Sequence, residues 1–321
     1  MMRRGTALVL FSAFLWGTTF PATRYGLEQG NLEPYAFIYF RFAIATIALL
    51  AYALPAKRVD WSLFADWRLV GLGVINALGY LLQYLAQDRT SASKTSLLVN
   101  VNVLITALLA FYLLRERIAA STGLGVVFGV AGVVMLTSNG DLSSLRFSNT
   151  EFVGDLMAFG TGVCWTVYIL TMKRYLTERP NADVIALTTV VFVTTLFVLF
   201  PVALFTDGLA YEGNWNGVAA LGYLSVFPTV VALWAYQVGL KSTSAAASSI
   251  MLLFETVVAV AISVLFLSEN LSGWTAAGAV LILIATYLAS RAPGPETVPP
   301  GALGTIAAQG PESSPPADRL K

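Results

Sequence analysis

The sequence predicts an all-α membrane protein with ten transmembrane helices, arranged as two inverted repeats of five helices. Three observations lead to this prediction. Hydrophobic residues make up 57% of the 321 residues and charged residues only 12%, with a mean hydropathy of +0.72, whereas soluble domains carry about 25% charged residues. Apolar runs of about 20 residues recur, each long enough to cross the hydrocarbon core of a bilayer. Two blocks of sequence 153 residues apart also resemble each other.

The apolar runs define ten predicted membrane spans, numbered from the N terminus. Spans 1 to 10 cover residues 5–25, 34–55, 68–88, 93–114, 119–138, 152–173, 183–205, 215–239, 245–267 and 273–290. Span 1 follows Arg3 and Arg4 as a signal peptide would, but Trp16, Pro21 and Arg24 occupy the place of a cleavage site, so we expect it to be retained. Residues 292–321 are rich in proline and poor in large apolar residues, which predicts a disordered tail.

An internal repeat organises the ten spans. A constant offset of 153 pairs these residues: Thr90 with Thr243, Ser91 with Ser244, Ala92 with Ala245, Glu116 with Glu269, and Gly125 with Gly278. Trp16 of span 1 pairs with Trp165 of span 6 at an offset of 149. Residues 1–140 and 141–291 are therefore predicted to hold five spans each. Five is odd, so the second copy is expected to be inverted, an arrangement typical of transporters with a substrate site near mid-membrane.

Lysine and arginine predict the orientation, because cytoplasmic loops carry an excess of them. With the N terminus inside, twelve lie in cytoplasmic segments: Arg3, Arg4, Lys57, Arg58, Arg68, Arg115, Arg117, Lys173, Arg174, Arg179, Lys241 and Arg291. Three lie in outer loops: Arg89, Lys94 and Arg146. Both termini are therefore expected in the cytoplasm.

Four stretches carry a family resemblance: "LWGTTFPATRY" (15–25), "FRFAIATIAL" (40–49), "TSAS…LLRER" (90–117) and "STSAAAS…FETV…LSE" (242–269). With these the chain resembles the ten-helix, EamA-type branch of the drug/metabolite transporter superfamily over essentially all of 5–290. The resemblance implies a bacterial inner-membrane carrier, often an exporter of amino acids or related metabolites. The family commonly has proline where this chain has Thr256, and another in span 4 near Asn102 and Val103, so the resemblance does not imply helix kinks there.

Polar and aromatic side chains at helical spacing predict the lining of a transport path, because polar groups inside spans are costly unless they face protein or water. The predicted lining residues are Trp16, Thr19, Tyr80, Gln83, Tyr84, Asn102, Trp165, Tyr168, Trp234 and Gln237. Gly17 and Pro21 predict a hinge in span 1. The alternative for each Thr or Gly is close helix packing, and for each Trp an anchor at the membrane surface.

Two charges inside spans extend this predicted site. Glu255 lies about 16 Å into span 9, near the middle of the bilayer, where a carboxylate must be protonated, paired or in water. Arg41 lies in span 2 and would reach Glu255 if the two helices adjoin. A substrate carboxylate on Arg41 and an ammonium or proton on Glu255 are one reading, and a structural Arg41–Glu255 ion pair is the other.

These features predict a secondary transporter that works by alternating access on an amino acid or related amphipathic solute. Cationic drugs and nucleosides fit the same pocket, and facilitated diffusion and proton coupling both remain open. The chain has no histidine, one cysteine (Cys164) and no G-x-x-x-x-G-K-[ST] motif, so we expect no metal, cofactor or direct ATP drive. An intramembrane enzyme or an ion channel is disfavoured. The expected partners are a small-molecule substrate, the lipid bilayer and protons, without nucleic acid.

Overall fold

A computed structural model of the chain describes residues 4–30, 33–90, 92–142, 151–206, 208–209, 213–266 and 271–292. Within these residues the fold is helical without strands, and ten helical stretches are long and apolar enough to cross a membrane. This confirms the predicted fold class of ten membrane-spanning helices. Residues 293–321 of the predicted tail and the repeat positions Ser91 and Glu269 lie outside the described residues.

Six spans are single helices and four are composed of consecutive segments. The single helices are spans 2 (Pro34–Ala53), 3 (Trp67–Arg89), 5 (Ala120–Ser138), 6 (Phe152–Glu178), 7 (Val184–Thr206) and 10 (Gly273–Ser290). The segmented ones are span 1 (Arg4–Gly17, Thr19–Gly30), span 4 (Ala92–Asn100, Asn102–Leu113), span 8 (Trp215–Leu224, Ser225–Val231, Ala232–Leu240) and span 9 (Ala245–Leu252, Phe254–Phe266). A short 3₁₀ helix, Trp61–Ala65, precedes span 3.

Span 1 is interrupted at Thr18, between the two predicted hinge residues. Pro21 has no N–H for the carbonyl of Gly17, and its ring crowds that carbonyl, so a regular helix cannot continue through this turn. The Thr18 hydroxyl instead donates to the Leu15 carbonyl at 2.7 Å. The interruption lies where the sequence predicts a hinge, and motion about it remains a prediction.

Spans 4 and 9 are interrupted although both lack the proline common in the family. Val101 has φ −57° and ψ −21°, and Leu253 has φ −56° and ψ −21°. The backbone N–H of each residue donates to the carbonyl three residues earlier in the chain. The N···O distance is 3.3 Å from Val101 to Leu98 and 3.1 Å from Leu253 to Ile250. Both breaks are therefore tightened turns of 3₁₀ type with the same backbone geometry.

The spans of the two halves pack in matching pairs. Span 1 packs on span 8, and span 6 packs on span 3. Spans 2 and 7, 4 and 9, and 5 and 10 pack on each other. The predicted repeat equates spans 1 to 5 with spans 6 to 10. It exchanges the contact of spans 1 and 8 with that of spans 6 and 3, and it leaves the other three contacts unchanged, so the packing is consistent with the repeat. The inversion and the domain boundaries stay predictions.

The pairing of spans 5 and 10 depends on two glycines. A Cβ on Gly278 would lie 2.6 Å from the Gly132 carbonyl oxygen, and one on Gly132 would lie 2.8 Å from that of Gly278. Small residues at such crossings let two membrane helices approach closely.

Gly278→Ala is expected to lower the melting temperature in detergent by at least about 3 °C, because the clash is with backbone atoms that cannot move independently. The matched control is Gly123→Ala in span 5, where a Cβ would meet nothing within 4 Å. Thermal unfolding of both variants checks this. Equal melting temperatures for the two variants would contradict it.

The two halves are also joined by ion pairs at the N-terminal side, defined as the side of the bundle where Arg4 begins span 1. Arg58, between spans 2 and 3, donates to both carboxylate oxygens of Asp183 at 2.7 and 2.6 Å. Arg179 pairs with Asp66 at 2.8 Å. Burial acts to raise the pKa of Asp183, but the hydrogen bonds and charge of Arg58 outweigh it, and the net shift is downward.

A buried carboxylate and a buried ammonium fix the link between spans 8 and 9 at the same side. Glu116, which follows span 4, accepts hydrogen bonds from the Ala245 N–H at 3.0 and 2.9 Å and so caps span 9. Lys173 of span 6 donates to the carbonyls of Leu240 and Thr243 at 2.8 and 2.6 Å. Burial raises the pKa of Glu116, although its hydrogen bonds and Lys173 act against the rise.

Candidate functional site

The site is built around a π-helical turn in span 8, Ser225–Val231. Pro228 lies inside this turn and has no N–H, so a carbonyl of the preceding turn loses its usual partner. The Thr229 hydroxyl replaces it, donating to the Leu224 carbonyl at 2.8 Å. Turns of this kind occur often at functional sites.

Two predicted site residues from the first half bind this turn at consecutive positions. The Trp16 indole N–H donates to the Pro228 carbonyl at 2.8 Å. The Arg41 Nε–H donates to the Thr229 hydroxyl oxygen at 2.8 Å. Spans 1 and 2 therefore both contact span 8 near mid-membrane.

Arg41 is a buried cation without an acidic partner in the part of the chain that the structure describes. Its residue is 2% exposed, and its Nη2 makes no hydrogen bond. The ion pairs formed by the described residues include neither Arg41 nor Glu255. The structure thus does not form the Arg41–Glu255 ion pair that was the structural alternative for these charges.

Aromatic rings surround the Arg41 guanidinium. Its Cζ lies 5.5 Å from the centre of the Tyr80 ring, which makes edge contacts with Trp165 at 5.4 Å and Phe42 at 5.1 Å. Tyr84 is close enough to interact electrostatically with the same guanidinium. A cation over an aromatic face is attracted by the ring's quadrupole, so Tyr80 stabilises the charge of Arg41.

A polar layer continues from this cluster toward the N-terminal side. Gln237, fully buried, donates from Nε2 to the Tyr168 hydroxyl at 3.2 Å and accepts from the Thr188 hydroxyl at 3.4 Å. The Tyr236 ring lies against that of Trp16 in a tilted arrangement, with ring centres 5.4 Å apart. Its hydroxyl is buried without a hydrogen-bond partner. These groups form the polar floor of the site.

The backbone of Glu255 packs against span 1 at Gly17, the residue after Trp16. Glu255 is in the first turn after the break in span 9, and a Cβ on Gly17 would come within 2.6 Å of its carbonyl oxygen. The side chain of Glu255 is partly exposed. Nearby in span 1, the hydroxyl of Thr19 is buried without a hydrogen-bond partner, as is that of Thr23.

The structure brings most of the predicted site residues into one region. Hydrogen bonds, ring contacts, electrostatic interactions and close backbone packing connect nine of them: Trp16, Gly17, Arg41, Tyr80, Tyr84, Trp165, Tyr168, Gln237 and Glu255. Asn102 lies apart, at the break in span 4, where its carbonyl accepts from the Thr166 hydroxyl at 3.4 Å. Gln83 and Trp234 are partly exposed, and no described hydrogen bond or ring contact ties them to this cluster.

Four residues of the site are absent from the predicted set: Thr229, Tyr236, Phe42 and Thr188. Pro228 in the middle of an apolar span was the available signal for Thr229, since proline there frees a carbonyl that a neighbouring hydroxyl can bind. Tyr236 is next to a predicted residue, Gln237, but off its helical stripe. Phe42 carries no polar atom, so a search for polar groups passes over it.

The Tyr80 ring contacts the rings of Trp165 and Phe42 directly. A small apolar cavity of about 30 Å³ lies elsewhere, between the breaks of spans 4 and 9, and is lined by residues including Val101 and Leu253. Such a volume holds about one water. A solute at the Arg41 cluster would therefore displace aromatic rings.

Comparison with known protein families gives a match to the EamA-like transporter family over residues 3–138 and 152–291. These two stretches correspond to the two halves of five spans each. Together they cover most of the chain and all ten spans.

Several relatives align over nearly the whole chain. An uncharacterized transporter of Archaeoglobus fulgidus is 25% identical over 287 residues, which covers 88% of this chain and 95% of the relative. The uncharacterized transporter YwfM of Bacillus subtilis is 28% identical, covering 89% and 93%. Protein PecM of Dickeya dadantii is 26% identical, covering 87% and 89%.

A solved crystal structure shares the fold. It superposes with a TM-score of 0.76 at 18% sequence identity, covering 90% of this chain and 97% of the other. At this identity the similarity concerns the arrangement of the helices only.

Proposed function

Since the chain belongs to the EamA-like transporter family and is a multi-pass membrane protein with a small-molecule substrate rather than an enzyme, we propose that it exports an amino acid or a related amphipathic solute. Transport proceeds by alternating access, with one half rocking against the other. The N-terminal side is cytoplasmic, as the twelve cytoplasmic lysines and arginines favour. The membrane is the bacterial inner membrane.

One observation carries this proposal: both charges lie close to Trp16, and neither forms an ion pair in the described part of the chain. Arg41 binds the turn of span 8 that Trp16 also binds, and the backbone of Glu255 packs against Gly17. Arg41 is buried, and a buried charge without a counter-ion is costly. A zwitterion supplies both counter-ions at once, with its carboxylate at Arg41 and its ammonium at Glu255. The rings of Tyr80 and Trp165 then contact the apolar part of the solute.

The packing of the N-terminal side supports alternating access. Residues 184–192 of span 7 are all buried, and the Arg58–Asp183 and Asp66–Arg179 pairs close the same side. The opposite side is also linked by ion pairs, from Lys94 to Glu151 and Asp155, but the second segment of span 1 and the end of span 3 are less buried there. This asymmetry fits a state closed toward the cytoplasm, one of the two end states that the mechanism requires.

Cationic drugs are the second candidate, because Glu255 beside aromatic rings suits a cation as well as it suits an ammonium. The two candidates differ in their need for Arg41. A cationic solute without a carboxylate gives that guanidinium no counter-ion.

Purified protein in proteoliposomes is expected to take up radiolabelled amino acids saturably, with preference for aromatic side chains. Liposomes without protein give the background rate. A pH gradient that drives accumulation indicates proton coupling, and one that changes nothing indicates facilitated diffusion. Absence of saturable uptake for every amino acid, together with uptake of a cationic dye, would replace this proposal with the cationic-drug one.

A further inference from the structure

The Thr229 hydroxyl is held in one orientation by two bonds. A hydroxyl group has one proton to donate and lone pairs to accept with. The Thr229 proton is directed to the Leu224 carbonyl at 2.8 Å, because a carbonyl cannot donate and Pro228, four residues on, has no N–H to offer it. Its lone pair is therefore free to accept, and it accepts from Arg41 Nε at 2.8 Å.

This arrangement decides which part of the Arg41 guanidinium remains free. A guanidinium presents five N–H donors in a rigid planar fork. With Nε held by Thr229, the terminal nitrogens are left for other acceptors, and Nη2 is buried without one. The two terminal nitrogens form an edge that matches a carboxylate through two parallel hydrogen bonds.

The orientation of Arg41 is fixed from a second direction by Tyr80. The guanidinium carbon lies 5.5 Å from the centre of that ring, and Tyr80 is held in turn by Trp165 and Phe42. Thr229 fixes one edge of the planar group and Tyr80 lies against it. An arginine held in this way binds an anion without first losing side-chain freedom.

We infer that Thr229 is a positioning residue that presents the terminal edge of Arg41 to a carboxylate, and so makes the site selective for carboxylate-bearing solutes. This inference rests on the proposed function, since it concerns the same site. It assigns Thr229 no contact with the solute. Its effect passes through the orientation of Arg41, which distinguishes it from a residue that lines the path.

The test uses binding of phenylalanine and of phenethylamine, the same molecule without its carboxylate, to the purified full-length protein. Wild type is expected to prefer phenylalanine. In Thr229→Val, which keeps the shape but removes the hydroxyl, this preference is expected to fall about tenfold, because a hydrogen bond to a charged group is lost. Thr229→Ser keeps the hydroxyl and is expected to restore the preference.

The outcomes separate this inference from the proposed function. If wild type prefers phenylalanine and Thr229→Val retains the full preference, Thr229 has no positioning role while the proposed function stands. If Thr229→Val weakens the binding of both ligands equally, and Thr229→Ser does the same, the residue acts only on the π-helical turn and the inference fails. If wild type binds phenethylamine as well as phenylalanine, both the inference and the proposed carboxylate site are wrong.

Discussion

Glu255→Gln is expected to abolish saturable amino-acid uptake in proteoliposomes. The substitution keeps the size of the side chain and removes its charge, so an ammonium group in the site loses its counter-ion. Removing one partner of a desolvated charge pair costs about 2 kcal/mol or more, which corresponds to a loss of about thirtyfold or more in apparent affinity. If transport is coupled to protons, the response to a pH gradient is lost as well.

Glu33→Gln is the matched control, because it makes the same chemical change at an exposed residue that precedes span 2 and caps nothing with its side chain. It is expected to transport like wild type. Deaminated analogues of the substrate, which lack the ammonium, should bind Glu255→Gln and wild type about equally. Equal amino-acid uptake by Glu255→Gln and wild type would leave Glu255 without a role in transport.

Arg41→Met is expected to lose binding of carboxylate-bearing solutes by about thirtyfold or more, since methionine has a similar length and no charge. Its fold is expected to persist. Arg41 is buried without an acidic partner among the described residues, and replacing such a charge by an apolar group relieves its desolvation. The melting temperature should therefore equal or exceed that of wild type, while phenethylamine binding is retained.

The control is Arg174→Met, an arginine whose side chain is 69% exposed and pairs with Glu178 one turn away. Exposed pairs of this kind contribute little, so transport and stability should both remain. An Arg41→Met variant that melts well below wild type would show that Arg41 serves the fold instead of the substrate.

The spans were predictable because a helix that crosses the bilayer must be apolar over about 20 residues. Their number and order agree with the hydropathy, and most ends differ by one or two residues. The largest differences are at the ends of spans 1 and 6, which each extend five residues further than predicted, span 6 to Glu178 instead of Lys173. A lysine in an apolar sequence suggests the end of a span. Lys173 stays buried instead, because its ammonium group donates hydrogen bonds to two carbonyls of the link between spans 8 and 9.

The helix breaks were predictable only where proline causes them. Pro21 marks the interruption of span 1, and local sequence suffices there. The breaks at Val101 and Leu253 have no such marker. Their geometry arises where spans 4 and 9 pack against each other, and contacts between distant segments are not visible in a local pattern.

The site was predictable only in part, because helical spacing identifies a face of a span only where that span is a regular helix. Helical stripes located Tyr80 and Trp165, whose spans are regular there, and the charge inside span 2 located Arg41. The stripe of span 8 located Gln237 but not Tyr236, because the π-helical turn Ser225–Val231 has more residues per turn than an α-helix and rotates the residues that follow. Tyr236 thus lies against Trp16, where a regular helix would place another residue.

The ion pairs of the N-terminal side contribute to the stability with which the two halves are held together there. In each pair at least one side chain is more than a third exposed: 37% for Arg58, 47% for Arg179 and 41% for Glu178, which pairs with Arg68. Water and dissolved salt screen such charges within about 8 Å at physiological ionic strength. Each of these pairs therefore adds little to the stability of this side. Under the proposed alternating-access mechanism, raising the ionic strength is expected to weaken the pairs and to favour opening at this side.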